Sequence, residues 1–102
     1  MKVGVTSQNF RTITGHAGKT RRFIIYEVDR NQPAQEIKRL DLPKEMSLHE
    51  TGSSEPHPID ELDILITAGC GDGFRRKMAD RGIQLLITGE TDPEKAVESL
   101  VE

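Results

Sequence analysis

A second cysteine is missing from this 102-residue chain, and with it any intramolecular disulfide. The lone thiol fits a reducing compartment and stays free for chemistry. Aromatic residues make up only 4 % of the chain, so a core has to be built from aliphatics around Phe10, Phe23, Tyr26 and Phe74. No apolar run approaches the roughly 20 residues of a membrane span. The N-terminus has no secretion-signal pattern, and a soluble cytoplasmic protein is expected. Charge of one sign is scarce as well: 14 basic residues stand against 17 acidic ones, for a net charge of -3. Intermixed along the chain, they argue against a dedicated nucleic-acid surface. The basic cluster of Lys19, Arg21 and Arg22 is the local exception. CxxC, HxxxH and HExxH spacings are absent, which leaves a self-assembled zinc or cysteine-ligated iron-sulfur site poorly supported.

Against these absences one stretch is rich in signals, residues 61–82 (ELDILITAGCGDGFRRKMADRG). Ile64, Leu65 and Ile66 form a continuous apolar run of strand length, as a strand covered on both faces requires. A turn with glycine at every second position follows, Gly69, Cys70, Gly71, Asp72, Gly73, where the backbone can turn sharply and come close to a ligand. Phe74 and Met78 then lie four apart on a short amphipathic helix, and Gly82 stands where a left-handed residue stops it. The helix N-terminus favours an anion or a cluster over residues 71–73. An ordinary strand-to-helix turn with Cys70 as a small buried hydrophobe fits the same residues.

The rest of the chain reads as a single α/β domain over residues 1–102. Residues 2–6 (KVGVT) alternate as a strand. Residues 7–19 have no useful periodicity and hold His16 among Gly15, Ala17 and Gly18, small neighbours that expose an imidazole; a loop histidine also serves simply as a solvated side chain. Residues 22–28 (RFIIYEV) are the clearest strand, and 29–32 (DRNQ) a tight turn. Residues 34–42 also match a helical spacing at Ala34, Ile37 and Leu40, but the short turn before them and Pro43 after them favour an edge strand guarded by charge. Residues 43–58 are rich in Pro, Ser, Gly and Glu and carry His49 and His57: a mobile loop, or a flap that brings one of these histidines over the glycine turn. Ile59 and Leu62 suit a short helical turn. Residues 83–88 (IQLLIT) form a second buried run. Thr91 and Glu94 have capping-box spacing, Pro93 fits the first helical turn, and Ala96, Val97, Leu100 and Val101 make the apolar face of a terminal helix.

A mixed sheet with helices on its faces follows, and in such folds ligands gather at the carboxyl ends of the strands. The loops holding His16 and Cys70 leave the same ends of what would be adjacent parallel strands. Histidine and cysteine bind soft and borderline metals. A cluster assembled elsewhere already has most of its metal coordination filled by bridging sulfides. It needs one or two terminal ligands, backbone donors and positive charge. His16, Cys70, the turn at Gly69, Gly71 and Gly73, and Lys19, Arg21 and Arg22 are such a set.

The segments MKVGVTSQNF, GHAGKTRRFIIYEVD and ILITAGCGDGFRRKMADRGIQLLITGETDPEKAVESL together resemble the dinitrogenase iron-molybdenum cofactor-binding family, the NifX-like and NifB C-terminal-like domains. The resemblance covers almost the whole chain. It implies a three-layer α/β/α fold with a ribonuclease-H-like motif and a five-stranded mixed sheet of order 3-2-1-4-5, strand 2 antiparallel. It also implies binding or carriage of an iron-sulfur or iron-molybdenum-type cluster, or its precursor, in nitrogen fixation. His16 matches the family's glycine-flanked histidine, and residues 69–73 match its glycine turn.

The expected function is a small non-enzymatic cluster-binding or carrier protein. Gly15, His16, Gly18, Lys19, Arg21, Arg22, Gly69, Cys70, Gly71, Asp72 and Gly73 are its candidate cofactor-binding residues. His16, Cys70, His49 and His57 are its candidate metal ligands. Cofactor-assembly proteins are the expected partners, neither nucleic acid nor membrane is expected, and the chain should be a monomer or weak homodimer. No CxxxCxxC is present for radical cofactor synthesis. Two alternatives remain open: an interaction domain that uses the edge strand near Ile37, and a phosphate-using hydrolase with Asp72 helping to hold a metal. Thr6 and Thr67 stand where that hydrolase would need carboxylates.

Overall fold

Alternating burial along the second strand decides the two faces of the sheet. The computed structural model describes residues 1–51 and 55–101, the side chain of residue 101 excepted. In β2 (Arg22–Asp29), Phe23 and Ile25 enter one core while Ile24, Tyr26 and Val28 enter another. This is the period-two pattern of a strand covered on both sides. β1 (Lys2–Thr6) gives Val3 and Val5 to the second core, and β4 (Ile64–Thr67) divides Leu65 from Ile64 and Ile66 in the same way. Gly4 is the thin point of β1. A Cβ there would lie 2.5 Å from Leu62 Cδ1, so the leucine fills the place a side chain would take.

With β3 (Gln32–Asp41) and β5 (Gln84–Ile87), the five strands run in the order β3-β2-β1-β4-β5. β2 is antiparallel to both of its neighbours, and β1, β4 and β5 are mutually parallel. This is the expected sheet. α1 (Asp72–Asp80) buries Phe74 and Met78 in the first core beside Ile59 and Leu48, and α2 (Pro93–Glu98) buries Ala96 and Val97 in the second. Helices therefore cover opposite faces, giving three layers. Gly82 ends α1 at a positive φ of 72°, as expected of a left-handed stop. No helix among the described residues is long and apolar enough to cross a membrane.

Three local readings change. β3 spans Gln32–Asp41, two residues earlier than expected, because the Asn31 N–H donates to Asp29 Oδ1 at 3.0 Å and closes a tighter turn. Pro33 is tolerated there because β3 is an edge strand. The expected second buried run, 83–88, contains β5 (Gln84–Ile87), which stands at the sheet edge as the expected order has it but is only partly buried, with Ile87 45 % exposed. Apolar continuity alone does not tell how much of each face is covered. The cap of α2 is Asp92, whose carboxylate accepts from the N–H groups of Glu94 and Lys95, so Thr91 and Glu94 do not form the expected capping box. A carboxylate one residue closer to the first turn satisfies those amides directly. Pro93 is at the helix start as expected and Leu100 is half-buried; the side chain of Val101 lies outside the described residues.

Candidate functional site

β1, β3 and β4 point the same way, so the segments after them meet at one end of the sheet, together with the N-terminus of α1. Two fully buried threonines tie the first pair of loops together. Thr6 Oγ1 and Thr67 Oγ1 lie 2.8 Å apart at the ends of β1 and β4, and both reach the Thr14 carbonyl, at 2.7 and 3.1 Å. The same carbonyl accepts the Ala68 N–H at 3.2 Å, and Ala17 N–H donates to Gly69 O at 3.3 Å. Where a hydrolase would carry carboxylates, this chain has a neutral clasp whose hydroxyls are used on each other and on backbone.

The clasp presents His16 and the glycine turn to one open cleft of about 650 Å³. His16 is exposed and left-handed (φ 53°, ψ 49°) at the start of a 3-10 turn, Ala17–Lys19. Non-glycine residues adopt that conformation rarely and at a cost. Lys19 N–H and Thr20 Oγ1 hold its carbonyl, at 2.9 and 3.3 Å. Cys70 is half-buried, resting against the core below α1 while lining the cleft. Gly69, Gly71 and Gly73 line the same wall, and Gly15, Gly18 and Lys19 the opposite one. Gly71 is the uncapped N-terminal boundary of α1, so amides of that end remain available.

The segment after β3 supplies the third side. His49 lines the cleft, and its N–H donates to Gly18 O at 2.7 Å. Lys77 of α1 holds this flap from behind: its ammonium donates to the carbonyls of Leu48 and Thr51, the latter at 3.3 Å. Neither Lys77 nor the threonine clasp was singled out for the site from sequence. The clasp had a signal, a threonine closing each of two apolar strand runs; Lys77 had only its place one turn after Gly73.

Four candidates fall outside the cleft. His57 is buried and caps the 3-10 turn Pro58–Glu61, where its Nδ1 accepts from the Ile59 N–H at 3.2 Å and its Nε2 lies 2.7 Å from Met46 O. An amide can only donate, so Nδ1 is bare and Nε2–H donates to Met46. Both ring nitrogens are thus in use. Arg22 pairs with Asp41 at 3.3 Å, donates to Gln8 O and stacks over Phe10, 5.4 Å from the ring centre. Arg21 lines a neighbouring groove. Asp72 opens α1 but does not line the cleft.

Burial pushes the His57 imidazole below its usual pKa, and the Arg81 cation acts the same way. The unfolded chain then takes up a proton that the folded one resists. Stability is therefore expected to be flat above about pH 6.5 and to fall as the pH drops below it. A pH series of thermal melts checks this, and His57→Gln should remove that part of the slope; an unchanged slope would exclude His57 as its source.

Among the described residues no three His, Cys, Asp or Glu side chains cluster closely enough to hold a metal ion. The donors at the cleft, His16, Cys70 and His49, suit a ligand that brings most of its own metal coordination. The profile of a family described as "Dinitrogenase iron-molybdenum cofactor" matches residues 1–102. No curated protein matches significantly. Among solved structures, the crystal structure of PH0822 superposes with a TM-score of 0.75 at 15 % identity, covering 99 % of this chain and 90 % of that one, a likeness of fold.

Proposed function

Because this chain belongs to the dinitrogenase iron-molybdenum cofactor family, we propose that it is a non-enzymatic carrier of an iron-sulfur or iron-molybdenum-type cluster, acting within the cytoplasm among cofactor-assembly proteins. The observation that carries this reading is the convergence of three strand-end segments on one glycine-lined cleft, with His16, Cys70 and His49 at its walls. These are soft and borderline donors, too few for a bare ion and sufficient as terminal ligands of a preformed cluster. Lys19 and the open end of α1 oppose the negative charge of such a cargo. An open cleft also suits a carrier, which has to release what it binds. His57 and Arg22 have no part in this reading, since their polar atoms serve the fold.

The test is an anaerobic titration of the purified protein with an isolated iron-sulfur cofactor precursor, followed by absorbance and electron paramagnetic resonance. Saturation near one cluster per chain is expected. His16→Ala and Cys70→Ser should each weaken binding by about tenfold or more, the scale of losing one charge-assisted or metal-ligand contact. No saturable binding by the intact protein would sink the carrier reading.

A further inference from the structure

Beside the cleft, and sharing Lys19 and His49 with it, runs a second groove of about 510 Å³. Lys19, Arg21 and Lys44 line it, and Ser47 and Glu50 complete it. From these residues we infer that the groove is a separate binding site for a small, multiply charged oxyanion, a di- or tricarboxylate or a phosphate.

Three observations point to that chemistry. The chain is acidic overall, yet three cations meet here against one carboxylate, Glu50. Among the described residues none of the three has an ion-pair partner, and what sets them apart from the other unpaired cations is that they line one groove together. Like charges left together without counter-ions repel, and an anion of matching charge relieves that repulsion. The second observation is Ser47. It is 5 % exposed, it lines the groove, and its hydroxyl has no hydrogen-bond partner among the described residues. The rest of the residue is buried, and the hydroxyl itself is not enclosed, so it can donate to an acceptor in the groove. The third is the character of the set: guanidinium and ammonium groups only donate, and the guanidinium fork matches a carboxylate or phosphate edge with two bonds.

Backbone bonds hold the groove in shape. Leu42 N–H donates to Arg21 O at 2.9 Å, joining the start of β2 to the segment after β3. Ser47 N–H donates to Lys44 O at 3.2 Å, closing the 3-10 turn Lys44–Met46, and Ser47 O accepts from Glu50 N–H and Thr51 Oγ1. The cations thus stand on two segments whose spacing is set independently of any ligand. The volume lies within the ordinary range for small-molecule sites, about 300–1,000 Å³. Because His49 borders both spaces, an anion in the groove would rest next to whatever fills the cleft. The inference does not require the cleft to hold a cluster.

The experiment is isothermal titration calorimetry of the cluster-free protein at low ionic strength with citrate and, separately, with inorganic phosphate. Sodium chloride is the control, and an Asp/Glu-rich peptide is a further arm. Saturable one-to-one binding of citrate or phosphate is expected, and which of the two binds more tightly identifies the anion class. Arg21→Gln and Lys44→Gln should each weaken it by about tenfold, Ser47→Ala by less, and added salt should weaken it further. Lys44 is exposed and outside the cleft, so Lys44→Gln should leave the cluster titration unchanged; loss of both signals would mean general damage and overturn the assignment. Binding that is unsaturable at millimolar anion, indifferent to Arg21→Gln and Lys44→Gln, or confined to the acidic peptide would equally overturn it. His16→Ala and Cys70→Ser report on the cleft alone, so failure there and failure here are separately visible.

Discussion

A Lys77→Met variant is expected to free the flap over the cleft, lowering cargo affinity by about tenfold or more and stability by about 2 kcal/mol. The Lys77 ammonium links α1 to the segment after β3. Phe74 and Met78 hold α1 in the core, at 6 % and 0 % exposure, so the lysine between them has a stationary base. From there its three donors meet the carbonyls of Leu48, His49 and Thr51. Methionine keeps the apolar stem and its contacts but leaves those carbonyls without a partner. The buried Leu48 side chain and the bond from His49 N–H to Gly18 O remain, so the segment should loosen locally rather than detach. Amide hydrogen exchange over residues 47–51 is the direct readout, and exchange there should rise while the amides of β1, β2 and β4 stay protected. Lys77→Arg, which keeps donors in place, should recover most of the protection. Equal exchange in Lys77→Met and the parent protein would show that Leu48 and the bond from His49 N–H to Gly18 O hold the flap without the lysine.

The sheet was legible because its information is local. Ile64, Leu65 and Ile66 had to be covered on both faces, and the hairpin between β2 and β3 was visible in its turn residues. Burial at the far end of the sheet was less legible: Leu85 and Leu86 read as buried, yet in the edge strand β5 they are only half-buried, because an apolar run does not tell how much of each face its neighbours cover. The cap of α2 moved from Thr91 to Asp92 because both can cap and only the chain path decides which one faces the amides. For the site, His16 and Cys70 were found through their unusual local settings. His49 and His57 looked alike, one histidine at each end of a polar stretch. The difference lies in what surrounds them: His57 has Met46 O on one side and the Ile59 N–H on the other, while among the described residues the hydrogen bonds of His49 at the cleft are those of its backbone. Long-range contacts of that kind, and those of Lys77, have no local signature; the clasp showed only as a threonine closing each of two strand runs.

The turn glycines separate the binding reading from an ordinary connection most sharply, because the two predict opposite signs. None of Gly69, Gly71 and Gly73 has a positive φ, and a Cβ built on any of them meets nothing within 4 Å. The fold therefore has no steric need for glycine at these places, although each one costs conformational entropy on folding. Gly73 even lies inside α1, where alanine is better by about 1 kcal/mol. The double variant Gly69→Ala/Gly73→Ala is thus expected to be more stable than the parent, by about 1–2 kcal/mol in denaturant unfolding. The same two methyl groups line the cleft wall beside Cys70, where they would hold a bulky cargo away from the backbone amides and the thiol. Cluster affinity should fall by about tenfold while stability rises, a loss of function that misfolding cannot explain. Gly71→Ser, which adds a capping hydroxyl at the start of α1, should behave in the same way. Unchanged cluster affinity in the stabilised variants would mean that no ligand approaches the turn closely. A fall in stability would mean that the glycines serve the fold after all, and Cys70 would then be read as the edge of a core.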